Sequence, residues 1–517
     1  MCGIFFIKNN ESCSEFICEE FNKGRSRGPD SSRLVEYKNN QFGFHRLAIN
    51  GLNSKGMQPF NKNNCYLICN GEIYNHKQLY NYMDVEPYSE SDCEVILDLY
   101  FKYGIEYTCK VLDGVFAFVL HDCSTETTYF VRDPFGVRPM YYFNSTPNFG
   151  AASDMKSLVK FNFKINHFPP GSFAVINNNT MTINSYFSLN SLYLPLCNTL
   201  QEEYSRYTSL INMTFTEAVK KRLMSDRPVA CLLSGGLDSS LVTALVCKLT
   251  GKKIQTFSIG LEGSPDLEYA NKVATYLDTK HTSVIVSEKD FIEAIPETIK
   301  TIESYDTTTV RASVGNYLIS KYISENSDCK VIFNGDGSDE LFGGYLYFHS
   351  SPSVLDSDKE TVRLLKDIHK YDVLRSDKSI SSCGLEPRTP FLDKTFVSTF
   401  RSIPIHYRFQ KGEIEKKIIR DSFKDYLPNE ILYRQKEAFS DGVSSKSRSW
   451  YEIIGDHVKN CEVKNYNVKH LNIKTSEQSY YYKLFQKDYP HCEHIIPYYW
   501  MPKWSNTDDP SARTLNK

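Results

Sequence analysis

No unbroken apolar run in the 517-residue chain approaches the roughly 20 residues that a membrane-crossing helix needs, and the opening MCGIFFIKNN carries no basic leader ahead of a long apolar stretch. The expectation is a cytoplasmic protein that makes no use of a membrane. A basic excess is equally missing. The 60 Lys and Arg are balanced by 62 Asp and Glu, so no net positive field is available to hold a phosphate backbone, and nucleic acid is not an expected partner. The 15 cysteines include no CxxC pair and are scattered through a long chain, which argues against a disulfide scaffold. Cys65 and Cys69 come nearest to metal-ligand spacing, but they sit in an apolar run and no second pair accompanies them, so a zinc site is not expected.

What is present is length enough for two to four domains. From the start to about Phe187, short apolar runs such as CYLICNGEIYN, VFAFVLHD and TTYFVRDPFG are bounded by Gly, Asn, Asp and Pro and broken by helical stretches such as SDCEVILDLYFKYG. That pattern predicts an α+β unit over 2–188. Apolar periodicity weakens over 189–209, which reads as a linker. From 210 to about 500, strand and helix alternate through VACLLSGG, DSSLVTALVCKLTG, KIQTFSIG, a helix over Asp266–Leu277, and TSVIVS, as a doubly wound parallel sheet requires. A further strand, KVIFNGDG, is followed by a largely helical remainder. Residues 501–517 are polar and read as a frayed tail.

Cys2 follows the initiator methionine. If Met1 is removed, one residue carries both a thiol and the free α-amine, which titrate at about 8.5 and about 8, so sulfur can pass its proton to nitrogen without a histidine. RGPDSS (27–32), HRLAI (45–49), NGEIYNH (70–76) and SDCE (91–94) are each, alone, compatible with a surface Arg, an Asn-Gly hairpin or a capping Asp. Together with Cys2, and in this order, they resemble the glutaminase domain of the class II amidotransferases. The resemblance implies an N-terminal-nucleophile hydrolase sandwich, two antiparallel sheets between helical layers (αββα). It assigns Cys2 as nucleophile, the Asn70 side chain and Gly71 N–H as oxyanion donors, Arg46 to the glutamine α-carboxylate, Glu72 and Asp92 to its α-ammonium, and Leu47, Ala48 and Ile49 to the pocket wall.

LLSGGLDSS (232–240) lies between an apolar strand and a helix, where its backbone N–H groups can face an anion. It lacks the GK[ST] ending of a Walker loop and resembles the PP-loop of ATP pyrophosphatases. That resemblance implies an α/β domain that cuts ATP between the α and β phosphates. Ser234, Gly235, Gly236, Asp238, Ser239 and Ser240 would then meet phosphate or Mg2+, with adenosine against Leu233 and Ile259. NGDGSDELFGG (334–344) looks like the companion loop of the asparagine synthetase family, which usually reads SGEGSDE. Asn334 and Gly335 would lie near the nucleotide, Asp336 would serve acyl-adenylate formation, and Asp339 would be a magnesium ligand. Asn334 and Asp336 stand where the family has Ser and Glu.

SYDTTTVRAS (304–313) combines hydroxyls with one Arg, groups suited to an amino-acid carboxylate; by the same resemblance Thr308 and Arg311 would contact aspartate. Arg388, in EPRTPFLD, matches a third aspartate position, and Lys436, in YRQKEAFSDGV, would stabilise the phosphates and the intermediate. The implied substrates are glutamine, aspartate and ATP, with a homodimer as the family's usual assembly. Sugar-phosphate amidotransferases would not require SGGLDSS, and a β-lactam-forming relative would not need the Cys2, Arg46, Asn70 and Asp92 set.

Overall fold

The structure is a computed structural model that describes the chain except residues 9–11, 190–199, 411, 436–441, 446–447, 462–465, 467, 469, 508 and 511–517. Its first half is built on two six-stranded antiparallel sheets. One runs, in spatial order, Asn166–His167, Tyr141–Ser145, Asn148–Ala152, Gly3–Lys8, Asn40–Arg46, Ser31–Tyr37; the other runs Thr180–Ser185, Ser172–Asn177, Thr127–Arg132, Gly114–Asp122, Cys65–Ile73, Phe60–Lys62. Successive side chains of a strand point to opposite faces. Along Gly3–Lys8, Ile4 and Phe6 therefore meet Phe42, Ile68, Val119 and Phe130 between the sheets, while Phe5 and Ile7 face outward to Ile17 and Phe21 of the helix Ser14–Asn22. On the far face of the second sheet, helices His76–Met83 and Val95–Val111 cover Leu67, Phe116 and Phe118. This is the expected αββα sandwich.

The second half contains a five-stranded parallel sheet in the order Lys280–Val286, Gln255–Leu261, Val229–Leu232, Val331–Phe333, Glu386–Arg388. Helices Leu200–Lys221 and Leu237–Thr250 pack on Cys231, Val331 and Phe333, whereas Ile319 and Ile323 of helix Thr307–Asn326 pack with Ala230, Phe257 and Ile332 on the other face. The chain winds outward from Val229–Leu232 in one direction and then returns to add Val331–Phe333 on the other side. The carboxyl ends of these two neighbours form the switch point at which doubly wound sheets bind ligands. LLSGGLDSS and NGDGSDE leave the sheet from those two ends.

Three expectations need correction. Helix Leu200–Lys221 begins inside the stretch read as linker, because a single apolar face, including Tyr207, Ile211 and Phe215, buries it against the second core despite its polar composition. The helical remainder hides the edge strand Glu386–Arg388, where Pro387 is tolerated because an edge needs fewer ladder donors. The tail is not frayed throughout, since Asp509 pairs with the buried Arg311. Leu47, Ile49, Val115 and Phe135 of the first half share one hydrophobic cluster with the second half, so the two halves meet through a continuous core.

Candidate active site

Cys2 lies at the start of the central strand of the first sheet, where Arg27 Nε donates to its carbonyl at 3.1 Å and its thiol is 3.7 Å from the Leu47 carbonyl. Burial pushes the Cys2 thiol up to about 11. The Met1 amine, 3.5 Å from Glu386 Oε2, is buried, and the same desolvation lowers it. Asn70 and Gly71 sit in the middle of strand Cys65–Ile73; Asn70 is fully buried, and its Nδ2 donates to Ser153 Oγ at 3.4 Å. The same hydroxyl accepts the N–H of Ile4, two residues after Cys2.

The charged groups of this pocket are buried and specifically placed. Arg46 reaches the carbonyls of Asn53 and Gly51 and meets no carboxylate within ion-pair distance among the described residues. Gly56 packs against it: a Cβ there would lie 2.4 Å from Nη2, so the guanidinium would have to shift to admit one. Glu72 and Asp92 are joined through Asn50, whose Nδ2 lies 2.6 Å from Glu72 Oε2 and 3.4 Å from Asp92 Oδ1. Burial first, and then their mutual repulsion in the case of Glu72, raises both carboxyls above the usual range, although the Ile73 N–H at 2.6 Å opposes the shift at Asp92. Leu47, Ala48 and Ile49 form the adjoining loop. It is pinned to the second half by Arg227 Nε on the Ala48 carbonyl at 3.0 Å and by the Asp226 N–H on that of Ile49 at 2.9 Å.

At the switch point a cleft of about 1100 Å³, open mouth included, is lined by Leu233, Ser234, Asp238, Ser239, Ile259, Thr308, Asn334, Gly335, Asp336 and Asp339 among others. The two loops interlock: a Cβ on Gly335 would lie 2.9 Å from that of Asp238. Gly235 adopts φ +71 and abuts the backbone of Tyr269 and Ala270, and Gly236 caps helix Leu237–Thr250. Ser240 is fully buried and, like Gly235 and Gly236, is absent from the cleft wall. A smaller cavity continues from Ser234, Asp238 and Ser239 to Lys416, Arg420 and Arg434. Lys416 is buried, donates to Asp238 Oδ1 and Oδ2 at 2.8 and 2.7 Å and to Ser338 Oγ at 3.0 Å, and forms an ion pair with Asp339 Oδ1 at 2.6 Å. Deeper in the cleft, Arg375 joins Asp336 at 3.1 Å to Asp372 at 2.7 Å, and the Tyr345 hydroxyl bridges Asp372 and Glu340.

A pocket around Cys2 and a cleft between the loops Leu232–Ser240 and Asn334–Asp339 thus lie on one chain. Residues 1–187 match the glutamine amidotransferase domain family, and 210–362 with 355–477 match the asparagine synthase family. The asparagine synthetase [glutamine-hydrolyzing] of Cricetulus griseus is 42% identical over 553 residues, covering 100% of this chain and 98% of its own. The proteins of the same name from Homo sapiens, 42% identical over 556 residues, and Gallus gallus, 41% over 553, show the same coverage. The chain belongs to the glutamine-hydrolysing asparagine synthetases.

Two of the three aspartate positions carried over from that family lie apart from the cleft wall. Arg311 is buried in a paired fork with Glu477, at 2.8 and 2.6 Å, and with Asp509 at 3.2 and 2.7 Å, so its charge is already matched and it is not in the cleft wall. Arg388 points the other way, toward the first half, meeting Glu386 at 2.6 Å and Glu72 at 3.3 Å. Thr308 does line the cleft. Lys436 lies outside the described residues; Arg434, two residues earlier, contacts the Ser234 carbonyl at 3.4 Å and Asp266 at 3.0 Å. Sequence reasoning missed Lys416, Arg375, Asp372 and Tyr345. Lys416 stands in the charged string KGEIEKK, which reads as a solvated face, and nothing local marks it as buried.

Proposed function

We propose that the two sites divide one reaction between them. As a member of its family the chain is an ATP-dependent ligase that makes asparagine from aspartate, with glutamine as nitrogen donor and AMP, diphosphate and glutamate as the other products. In the first site, removal of Met1 makes the amine next to the thiol that of Cys2 itself. The thiol passes its proton to that amine, and sulfur attacks the glutamine amide carbon. Asn70 Nδ2 and the Gly71 N–H stabilise the oxyanion, the amide nitrogen leaves as ammonia, and water hydrolyses the thioester to glutamate. Arg46 holds the glutamine carboxylate, while Glu72 and Asp92 hold its ammonium, with Leu47, Ala48 and Ile49 as the wall.

In the second site, Leu233 and Ile259 flank the adenosine, and Ser234, Gly235, Gly236 and Ser239 cradle the phosphates, with Asn334 and Gly335 beside them. An aspartate β-carboxylate oxygen attacks the α-phosphorus and diphosphate leaves. Ammonia then displaces AMP from β-aspartyl-AMP. Thr308 serves aspartate, Asp336 assists adenylate formation from its place beside Arg375, and Lys436 serves the phosphates. Asp238 and Asp339 both reach the Lys416 ammonium, so their carboxylates lie close enough together to suit a divalent cation completed by phosphate oxygens and water. Bound there, Mg2+ would neutralise phosphate charge. A cytoplasmic homodimer is the assembly proposed; no helix among the described residues is long and apolar enough to cross a membrane.

What supports this reading is that one chain holds Cys2 with buried Asn70 and Arg46 nearby, in a half joined through a continuous core to the half that carries the switch-point cleft. Purified protein should make asparagine and AMP from aspartate, ATP and magnesium with either glutamine or ammonium, and Cys2→Ala should retain only the ammonium reaction. Glutamate release without asparagine or AMP would contradict the reading of the second site.

A further inference from the structure

Strand Glu386–Arg388 touches both sites. Its backbone is the edge of the parallel sheet, with Arg388 in register with Phe333, and the Arg388 carbonyl accepts the N–H of Asn334 at 3.1 Å, where the nucleotide loop begins. The Arg388 side chain crosses to the first half and is fully buried. Nε meets Glu386 Oε1 at 2.6 Å and Nη1 donates to the Arg222 carbonyl at 2.9 Å, while Nη2 lies 3.3 Å from Glu72 Oε2 but off the line of a hydrogen bond. Two corners of the guanidinium are thus firmly held, and the third rests loosely on a carboxylate of the Cys2 pocket. The other contact of Glu72 Oε2 is Asn50, which also reaches Asp92.

We propose that Arg388 is a positioning residue that reports occupation of the Glu72–Asp92 pocket by an amino-acid ammonium group to the Asn334–Asp336 loop of the nucleotide cleft. The inference rests on the reading of Glu72 and Asp92 as the glutamine ammonium site. An ammonium between two carboxylates competes with Arg388 for Glu72, at a corner where Arg388 lacks a directed bond. Released there, the guanidinium settles on Glu386 and the Arg222 carbonyl. Packed interiors do not absorb such shifts locally, and here the same residue's carbonyl carries Asn334. The coupling is a free energy shared by both sites and so must be reciprocal.

The test uses Cys2→Ala protein, which binds glutamine without consuming it. The dissociation constant of L-glutamine is measured by calorimetry with and without saturating magnesium α,β-methylene-ATP, and the reciprocal titration is done with the nucleotide. A change of about fivefold or more, equal in both directions, is expected. In the Cys2→Ala background, Arg388→Lys and Arg388→Gln should bring that factor within about twofold of one while each ligand still binds alone. The neutral variant is tolerable because Glu72, already raised by burial, can take up a proton. A purely structural role for Arg388 would weaken each ligand's binding and leave the factor unchanged. A factor near one in Cys2→Ala itself, or one that survives both substitutions, overturns the proposal. Ammonium-dependent asparagine synthesis by the unsubstituted chain serves as the separate control: its absence would sink the functional reading and not the coupling.

Discussion

Replacing Lys416 by methionine keeps the unbranched stem and removes one buried charge. In the native chain that charge is shared by both oxygens of Asp238, by Asp339 Oδ1 and by Ser338 Oγ, all within 3.0 Å. Deleting one partner of a buried ion pair costs about 3–5 kcal/mol, because the remaining charges lose their counterion inside a poorly polarisable medium. The Asp238 and Asp339 side chains retain 14% and 15% exposure, so water offsets part of the loss and the lower end, about 3 kcal/mol, applies. At about 2 °C per kcal/mol for a unit of this size, the unfolding midpoint in magnesium-free buffer should fall by roughly 6 °C. A divalent ion can then occupy the gap. Without nucleotide, magnesium at about 100 times its dissociation constant returns about 2.7 kcal/mol, so most of the lost stability should come back in the variant, while the native protein, whose gap Lys416 fills until phosphate oxygens complete the cation's shell, should respond little. Differential scanning calorimetry of both proteins, in chelator and in magnesium, measures all four values. Equal midpoints in chelator, or equal magnesium responses, would refute the argument that Lys416 holds the two carboxylates together.

Arg46→Lys should raise the glutamine KM about tenfold or more, since one charge-assisted bond of a fork is worth about 1.5–3 kcal/mol, and should leave ammonium-dependent rates unchanged in steady-state assays. Gly235→Ala places a Cβ 2.5 Å from the Ala270 nitrogen at φ +71, so the PP-loop must distort; AMP formation should fall more than about 100-fold while glutaminase activity, assayed as glutamate release, persists. His121 is buried between the sheets, near Thr128 and Asn40, and desolvation lowers it to about 4. An unfolded histidine titrates at about 6.5, so this neutral ring contributes stability above that pH, and the contribution is lost as pH falls from about 6.5 toward 4. Chemical denaturation across that window should show a steeper loss for the native chain than for His121→Gln.

The segments that could be read from sequence are those whose conformation is decided locally. SGGLDSS announces a strand–turn–helix because Gly235, at φ +71 and against the backbone of Tyr269 and Ala270, leaves no room for a Cβ. The alternation along GIFFIK, with Ile4 and Phe6 inward and Phe5 and Ile7 outward, likewise follows from a two-residue period that any strand obeys. The order of Cys2, HRLAI, NGEIYNH and SDCE pointed to a nucleophile pocket, and the structure brings Asn50, Glu72 and Asp92 together in one place. The short strand Glu386–Arg388 escaped notice because three residues with a central proline carry no periodicity.

What the sequence by itself determined is therefore the pair of folds, the family and the loops that leave the sheets beside Cys2 and at the switch point. What only the tertiary structure decided is which charges face those loops. Arg311 finds Glu477 and Asp509, 166 and 198 residues away, Lys416 finds Asp238 across 178, and Arg388 turns from the cleft toward Glu72. An arginine in an aspartate-like motif and a lysine in a charged string look alike whether they meet a substrate, solvent or a carboxylate. The physical reason is that a long side chain's partner is chosen by desolvation and Coulomb energy at the place where distant segments pack, and that place does not exist until the chain has folded.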